Sequence, residues 1–93
     1  MEFQKEQNRI YLQDENGRLV AEVTFPKASE NIVEISRTFV DESLRGQGIA
    51  SKLILAVAQT VREDGRKVVP TCSYAMKWFQ KNSEYQDILA NKV

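Results

Sequence analysis

Apolar and polar residues alternate from Arg18 to Phe25: Leu19, Ala21, Val23 and Phe25 fall on one side, Arg18, Val20, Glu22 and Thr24 on the other. A period of two predicts a strand. Upstream, Arg9-Ile10-Tyr11-Leu12-Gln13 is rich in strand formers and is expected to pair back with Phe3 to Glu6 across Gln7-Asn8. Asp14-Glu15-Asn16-Gly17 lies between these segments, and its Asn-Gly pair is the strongest short hairpin signal. Pro26 to Glu30 reads as a second turn and Asn31 to Val40 as one long third strand, completing an antiparallel meander.

The period then changes. Ile49, Leu53, Val57 and Val61 recur at helical spacing within Gly48 to Asp64, with Ala50 and Ile54 beside them, and Gly65 stops the helix. Lys67 to Cys72 is a short strand reached from the third by a helix, so the two are expected to run parallel through a right-handed crossover. Ser73 is placed to cap a second helix over Tyr74 to Lys81, where Trp78 follows Tyr74 by four residues. Ser83-Glu84-Tyr85-Gln86 has the capping-box pattern of a last short turn. The fold class is α+β, a meander followed by helix, parallel strand and helix.

Composition narrows the function classes. The 93 residues suffice for one domain, taken as 1–93, and 42% hydrophobic residues allow one modest core. Thirteen Lys plus Arg against thirteen Asp plus Glu leave no bulk charge to hold a nucleic acid or a membrane surface. The longest apolar run, Leu53 to Ala58, is far short of the ~20 residues of a membrane span. The first six residues contain no apolar h-region, and the single cysteine, Cys72, fits a reducing compartment; the expected location is cytoplasmic. Histidine is absent, which excludes His-based triads and His-ligated metals, and one cysteine cannot build a zinc cluster.

The segment carrying chemistry is Thr38-Phe39-Val40-Asp41-Glu42-Ser43-Leu44-Arg45-Gly46-Gln47-Gly48-Ile49-Ala50. A strand ends, a glycine-bearing turn follows and an amphipathic helix begins. That order aims unpaired helix N–H groups at one point, where glycines let a diphosphate come close. The same order also fits a tight connection that merely needs glycine. A P-loop is excluded, because Ile49 and Ala50, not Lys and Ser or Thr, follow Gly48. A dinucleotide fingerprint fits poorly: Ser51 is neither Gly nor Ala, and Lys67 to Cys72 ends in a thiol instead of a carboxylate.

Arg45-Gly46-Gln47-Gly48-Ile49-Ala50 resembles the (Gln/Arg)-x-x-Gly-x-(Gly/Ala) loop of the GNAT acetyltransferase superfamily. Ile35-Ser36-Arg37-Thr38-Phe39-Val40, Lys67 through Tyr74 and Ser83-Glu84-Tyr85 are similar to the small YjdJ-type family, in which a Pro-x-Cys strand end and a Pro-Glu-Tyr-like tail accompany the loop. The resemblance runs from Ile32 to Leu89. It implies a GNAT-like splayed strand pair, an acetyl-CoA cosubstrate and an amine acceptor. Backbone groups of Phe39 and Val40 would pair with pantetheine amides, and the N–H groups of Arg45, Gly46, Gln47, Gly48, Ile49 and Ala50 would wrap the pyrophosphate. Pro70, which has no N–H, suits a strand that parts from its neighbour; it also suits an ordinary edge strand.

The resemblance further offers Glu34 as a carboxylate that deprotonates the amine through water and Tyr74 as the acid for the departing thiolate; Cys72, ending its strand just before a helix N-terminus that favours a thiolate, is a candidate acyl carrier. Each has a plainer alternative: Glu34 as a surface charge, Tyr74 as core packing against Trp78, Cys72 as a structural thiol. Arg45 is a candidate phosphate partner, and Lys52 an exposed solubilising residue. Two departures stand out. Arg37 occupies a position that often holds His in that family and is a poor base. Asp14 to Gly17 replaces the two helices that form the acceptor site in larger GNAT enzymes, leaving the acceptor face open or completed by a protein partner or second copy. An N-acetyltransferase is expected, the alternatives being an acetyl-CoA-binding regulatory module without efficient transfer and an interaction domain whose glycine loop holds nothing.

Overall fold

A computed structural model describes residues 2–90. Strands β1 (Gln4–Glu6), β2 (Arg9–Gln13) and β3 (Leu19–Thr24) form the expected meander, with Lys5 opposite Ile10 and Leu12 opposite Ala21. Gly17, at φ +80°, closes the hairpin turn by donating to Asp14 O at 3.0 Å.

The next segment differs from expectation. The Pro26–Glu30 turn contains a short strand, β4 (Lys27–Ser29), and the single long strand is two: β5 (Ile32–Ile35) and β6 (Arg37–Val40). Ser36 N–H donates to Thr24 O at 3.2 Å although Arg37 is already the register partner of Thr24. Two residues thus face one, a β-bulge, and the chain bends there. The bend divides the strands between two sheets, ordered β1-β2-β3-β6 and β4-β5-β7.

Helix α1 (Ile49–Glu63) leads from β6 to β7 (Lys67–Pro70), and β7 pairs parallel with β5 in the register Ile32↔Lys67 to Ile35↔Pro70. Gly65, at φ +69°, ends the helix as the sequence predicts. Helix α2 (Ser73–Lys81) follows, then a 3₁₀ helix over Ser83–Ile88. Cys72, not Ser73, is the cap of α2, its Sγ accepting from Ala75 N–H at 3.4 Å. The 3₁₀ helix begins without a side-chain cap bond, so the capping box does not form.

Alternation decides the core. Ile10, Leu12, Ala21 and Val23 from one sheet and Val33, Ile35 and Val68 from the other meet Leu53, Ile54, Val57, Ala58 and Val61 of α1. Ala75, Trp78 and Phe79 of α2 close the same cluster, and Trp78 Nε1 donates to Ser51 Oγ at 2.9 Å, tying the two helices together.

The opposite sheet face carries Glu22, a buried carboxylate held between two guanidinium groups. Arg9 Nε donates to one carboxylate oxygen and Arg37 Nη1 to the other at 2.8 Å. Arg9 lies 3.8 Å over the ring of Tyr11, and the Arg37 guanidinium 5.5 Å from the ring of Phe39. The hydrogen bond to Glu22 raises the pKa of Arg9 above its ordinary value. Arg37, the departure from the small family's pattern, therefore has a structural partner: it neutralises a carboxylate that burial alone would disfavour.

Leu53 is fully buried between sheet and helix. Leu53→Ala is expected to cost about 2–5 kcal/mol, which lowers the melting temperature by roughly 10 °C or more in a chain of this size. Circular dichroism melting checks it; a drop of only a degree or two would contradict this packing.

Candidate functional site

The bulge at Ser36 and the proline at position 70 create a fork. Pairing of β5 with β7 ends at Ile35↔Pro70, where Thr71 and Cys72 both donate to Ile35 O, at 3.0 and 3.2 Å. Beyond that point β6 pairs only with β3, so its other edge is free. Asp41 N–H donates to Val20 O at 2.8 Å. In an antiparallel pair alternate residues turn their polar groups toward the partner, so Phe39 faces β3 while Thr38 and Val40 present N–H and C=O to the free edge.

The chain then turns into a loop that Asp41 holds. Asp41 caps the 3₁₀ turn Glu42–Leu44, its Oδ2 accepting from Ser43 N–H at 3.1 Å and Ser43 Oγ at 2.6 Å. Arg18, from the first hairpin, donates to the same oxygen at 3.2 Å. These bonds, led by the Ser43 hydroxyl, hold the Asp41 carboxyl below its ordinary value of 3.8.

Gly46 (φ +86°) and Gly48 (φ +73°) take left-handed conformations that disfavour any side chain, and at neither would a Cβ meet an atom within 4 Å. Gly48 is the cap residue of α1 and provides no side-chain acceptor. Lys52 N–H makes the first return bond, to Gly48 O at 3.1 Å, so the amides of Ile49, Ala50 and Ser51 have no acceptor within the helix. No acidic residue lies in the first turn. The positive end of a four-turn helix is left uncompensated.

A cavity of about 390 Å³ joins these parts. Val40, Arg45, Gly46, Gly48, Ile49 and Ala50, six of the eight coenzyme-loop candidates, line it, together with Thr38, Leu44 and Tyr74. Phe39 and Gln47 lie outside the lining, Phe39 because it points to the opposite face. Thr38 was not singled out by the sequence as a site residue. The signal was there: it alternates to the same side as Val40.

The remaining candidates sit around the fork. Tyr74 is 41% exposed and lines the cavity, so it does not pack into the core; Trp78 instead contacts Phe79 and Tyr85. Cys72 is half-buried just outside the lining, its Sγ 3.5 Å from Thr38 Oγ1. Glu34 lies on the face away from buried Val33 and Ile35, one residue before the fork, and accepts from Thr71 Oγ1 at 2.7 Å. It is not one of the residues lining the cavity. Among the described residues no cluster of His, Cys, Asp or Glu could hold a metal ion, and no helix is long and apolar enough to cross a membrane.

A forked strand pair, a glycine loop and an uncapped helix following one another in this order make the GNAT type of α+β fold. The sequence profile of the GCN5-related N-acetyl-transferase family matches residues 9–88, and the chain belongs to that family. It is similar to a GCN5-like protein from Staphylococcus aureus solved by NMR, with 32% identity and a TM-score of 0.81 over 99% of this chain and 90% of that one. The fold is shared with the Escherichia coli GNAT family N-acetyltransferase YhbS, solved in complex with CoA, at 23% identity and a TM-score of 0.63 over 84% of this chain and 44% of that one. It is shared too with Rv2747 from Mycobacterium tuberculosis, also in complex with CoA, at 18% identity and a TM-score of 0.65 over 83% of this chain and 48% of that one. The chain thus spans about half the length of these last two proteins. No curated protein matches significantly.

The Asp41 tether predicts an acid sensitivity. A carboxyl whose folded pKa is depressed adds stability above its unfolded value, and that contribution is lost as pH falls through the folded value. Stability should therefore decline below pH 3.8, and Asp41→Asn should remove part of this decline. Asp87, lowered by its hydrogen bond from Arg62, supplies the rest of the same window. Denaturant titrations between pH 5 and pH 2.5 (roughly the span over which a tethered aspartate titrates) check this; identical pH profiles for the two proteins would exclude Asp41 as the tether.

Proposed function

We propose that this protein is an acetyl-CoA-dependent N-acetyltransferase acting on an amine acceptor. One observation carries the reading: uncapped amides of α1, opened by Gly46 and Gly48, face a cavity that continues along the free edge of β6. An anion at the helix start and an amide-bearing chain along a strand edge are what such a site recognises. The residues present fit that group. The pyrophosphate would lie against the amides from Gly46 to Ala50, with Arg45 as a charge-assisted partner. The pantetheine amides would pair with the exposed backbone of Val40 and Thr38, which replaces the sequence-based choice of Phe39.

Transfer is direct in this reading. The amine nitrogen bonds to the carbonyl carbon of the thioester as the carbon–sulfur bond breaks. Glu34, one residue before the fork and on its far side, takes the amine proton through water; Tyr74, on the cavity wall, supplies a proton to the departing sulfur. Most of the acceleration comes from holding both reactants at the fork. Two features speak against an acetyl-cysteine route: the sulfur of Cys72 already interacts with Ala75 N–H and Thr38, and no imidazole exists to activate it. The sheet face beside the fork is not covered by either helix, so the acceptor enters from an open side. A protein partner or a second copy would complete it.

Acetyl-CoA should raise the melting temperature, since a ligand binding only the native state stabilises it. Gly48→Val should remove most of that shift and cost about 1–2 kcal/mol by itself, because the left-handed backbone resists a β-branched residue. Arg45→Ala should weaken binding more modestly, most visibly at low salt. Unchanged affinity in Gly48→Val, measured by calorimetry, would mean the anion site is misassigned.

A panel of amines, followed by release of free thiol, tests transfer. Glu34→Gln and Tyr74→Phe should each slow it by roughly 10²-fold or more, while Cys72→Ala should slow it without abolishing it. A hydroxylamine-labile acetyl adduct on Cys72, formed as fast as turnover, would replace direct transfer by the covalent route. Binding without turnover on any amine would identify a coenzyme-binding module.

A further inference from the structure

The side chain of Thr38 is the one polar group on β6 that lines the cavity, and it lies beyond Val40 in the direction away from the glycine loop. At ~3.3 Å per strand residue it is about 7 Å farther from the anion site than Val40. A ligand anchored by a phosphate at α1 and running along β6 brings its far end, not its middle, to Thr38. Tyr74 also lines the cavity, so its lining carries two hydroxyl groups.

The Thr38 hydroxyl has a side-chain partner. Its oxygen is 3.5 Å from Cys72 Sγ, and that sulfur is fixed in turn by accepting the Ala75 N–H at 3.4 Å. A threonine hydroxyl has one donor and two acceptor positions, and a thiol one weak donor. With Ala75 N–H on the sulfur's acceptor side, the S–H is available to donate to Thr38 Oγ1. The Thr38 O–H is then released to donate into the cavity.

We infer that the Thr38 hydroxyl donates a hydrogen bond to the carbonyl oxygen of the bound acyl thioester, and that Cys72 is the positioning residue that orients this hydroxyl. The inference rests on the coenzyme reading proposed above. It gives the single cysteine of the chain a role in the reaction without making it an acyl carrier. As the amine attacks, negative charge builds on the carbonyl oxygen, and a donor already aimed there stabilises it. The new carbon–nitrogen bond forms, the carbon–sulfur bond breaks, the amine loses one proton and the departing sulfur gains one. Thr38 keeps its proton throughout.

The test needs no acceptor. Acetyl-CoA labelled with carbon-13 at the carbonyl is bound to the protein, and its resonance is compared with that of free acetyl-CoA; CoA itself is titrated in parallel by calorimetry. In the wild type the carbonyl line should move downfield, and acetyl-CoA should bind roughly two- to tenfold tighter than CoA, the worth of one neutral hydrogen bond. Thr38→Val, which keeps the volume, should lose both the shift and the preference with CoA affinity unchanged; Thr38→Ser should restore them. Cys72→Ser, retaining a donor, should keep most of the shift, and Cys72→Ala should reduce it. Should Thr38→Val fold poorly, Thr38→Ala supplies the same comparison. A wild-type carbonyl line at the free position, or the same shift in Thr38→Val, overturns the inference while the coenzyme reading stands. Failure of the wild type to bind either ligand overturns both.

Discussion

The carbonyl oxygen of Ile35 accepts the N–H groups of both Thr71 and Cys72, and past it the two central strands part. Three local facts force that parting. The bulge at Ser36 turns β6 toward β3, Pro70 has no N–H to continue the ladder, and the bifurcated Ile35 carbonyl exhausts the last acceptor on β5. Each side of the fork then follows. Because β6 is unpaired on one edge, it offers backbone groups to a ligand; because β7 ends, Cys72 can turn the chain into α2. The cavity is therefore not a gap left by loose packing. It is bounded by strands whose hydrogen bonds have been deliberately ended, while Val33, Ile35 and Val68 directly behind them remain fully buried.

The glycine loop shows the same balance between order and unmet bonding. Asp41, Ser43 and Arg18 fix its entry through charge-assisted and hydroxyl hydrogen bonds, so the loop does not wander. Its exit is the reverse: α1 begins at a glycine with no capping side chain and no acidic residue in the first turn. A Ser or Asp at position 48 would cap that helix, a gain typically of about 1 kcal/mol. It would also fill the acceptor-seeking amides with the protein's own oxygen. Left open at the end of an otherwise well-buried helix, these amides remain available to an acceptor from outside the helix.

Much of this could be read from the chain. The Asn16-Gly17 turn and the spacing of Ile49, Leu53, Val57 and Val61 are strong local signals, and both elements form where those signals lie. The parallel pairing of Lys67–Pro70 followed from chain order alone. What escaped were features with no local composition. Nothing in Ile35-Ser36-Arg37 marks a bulge, so one strand was expected where two exist. A cysteine is a weaker cap than the serine beside it, and only the path of β7 decides between them. A match to a strand does not specify parity, whereas the register with β3 turns the backbone of Phe39 toward β3 and that of Thr38 and Val40 to the open edge. The glycine loop was legible because glycine and arginine there have direct chemical reasons. Glu34, Tyr74 and Cys72 were less so, since each role depends on which side of the fork the side chain falls.

Charge organises the other face of the sheet. Glu22 is buried on the sheet face away from α1, where a lone carboxylate would be costly, and Arg9 and Arg37 hold both of its oxygens. Tyr11 and Phe39 lie under those guanidinium groups, so their rings are shielded by charge instead of by a helix. That arrangement lets a sheet face carry two aromatic residues next to solvent without a covering element. Arg37 both donates to Glu22 and lies near the ring of Phe39, so one planar group fixes the carboxylate and shields the ring.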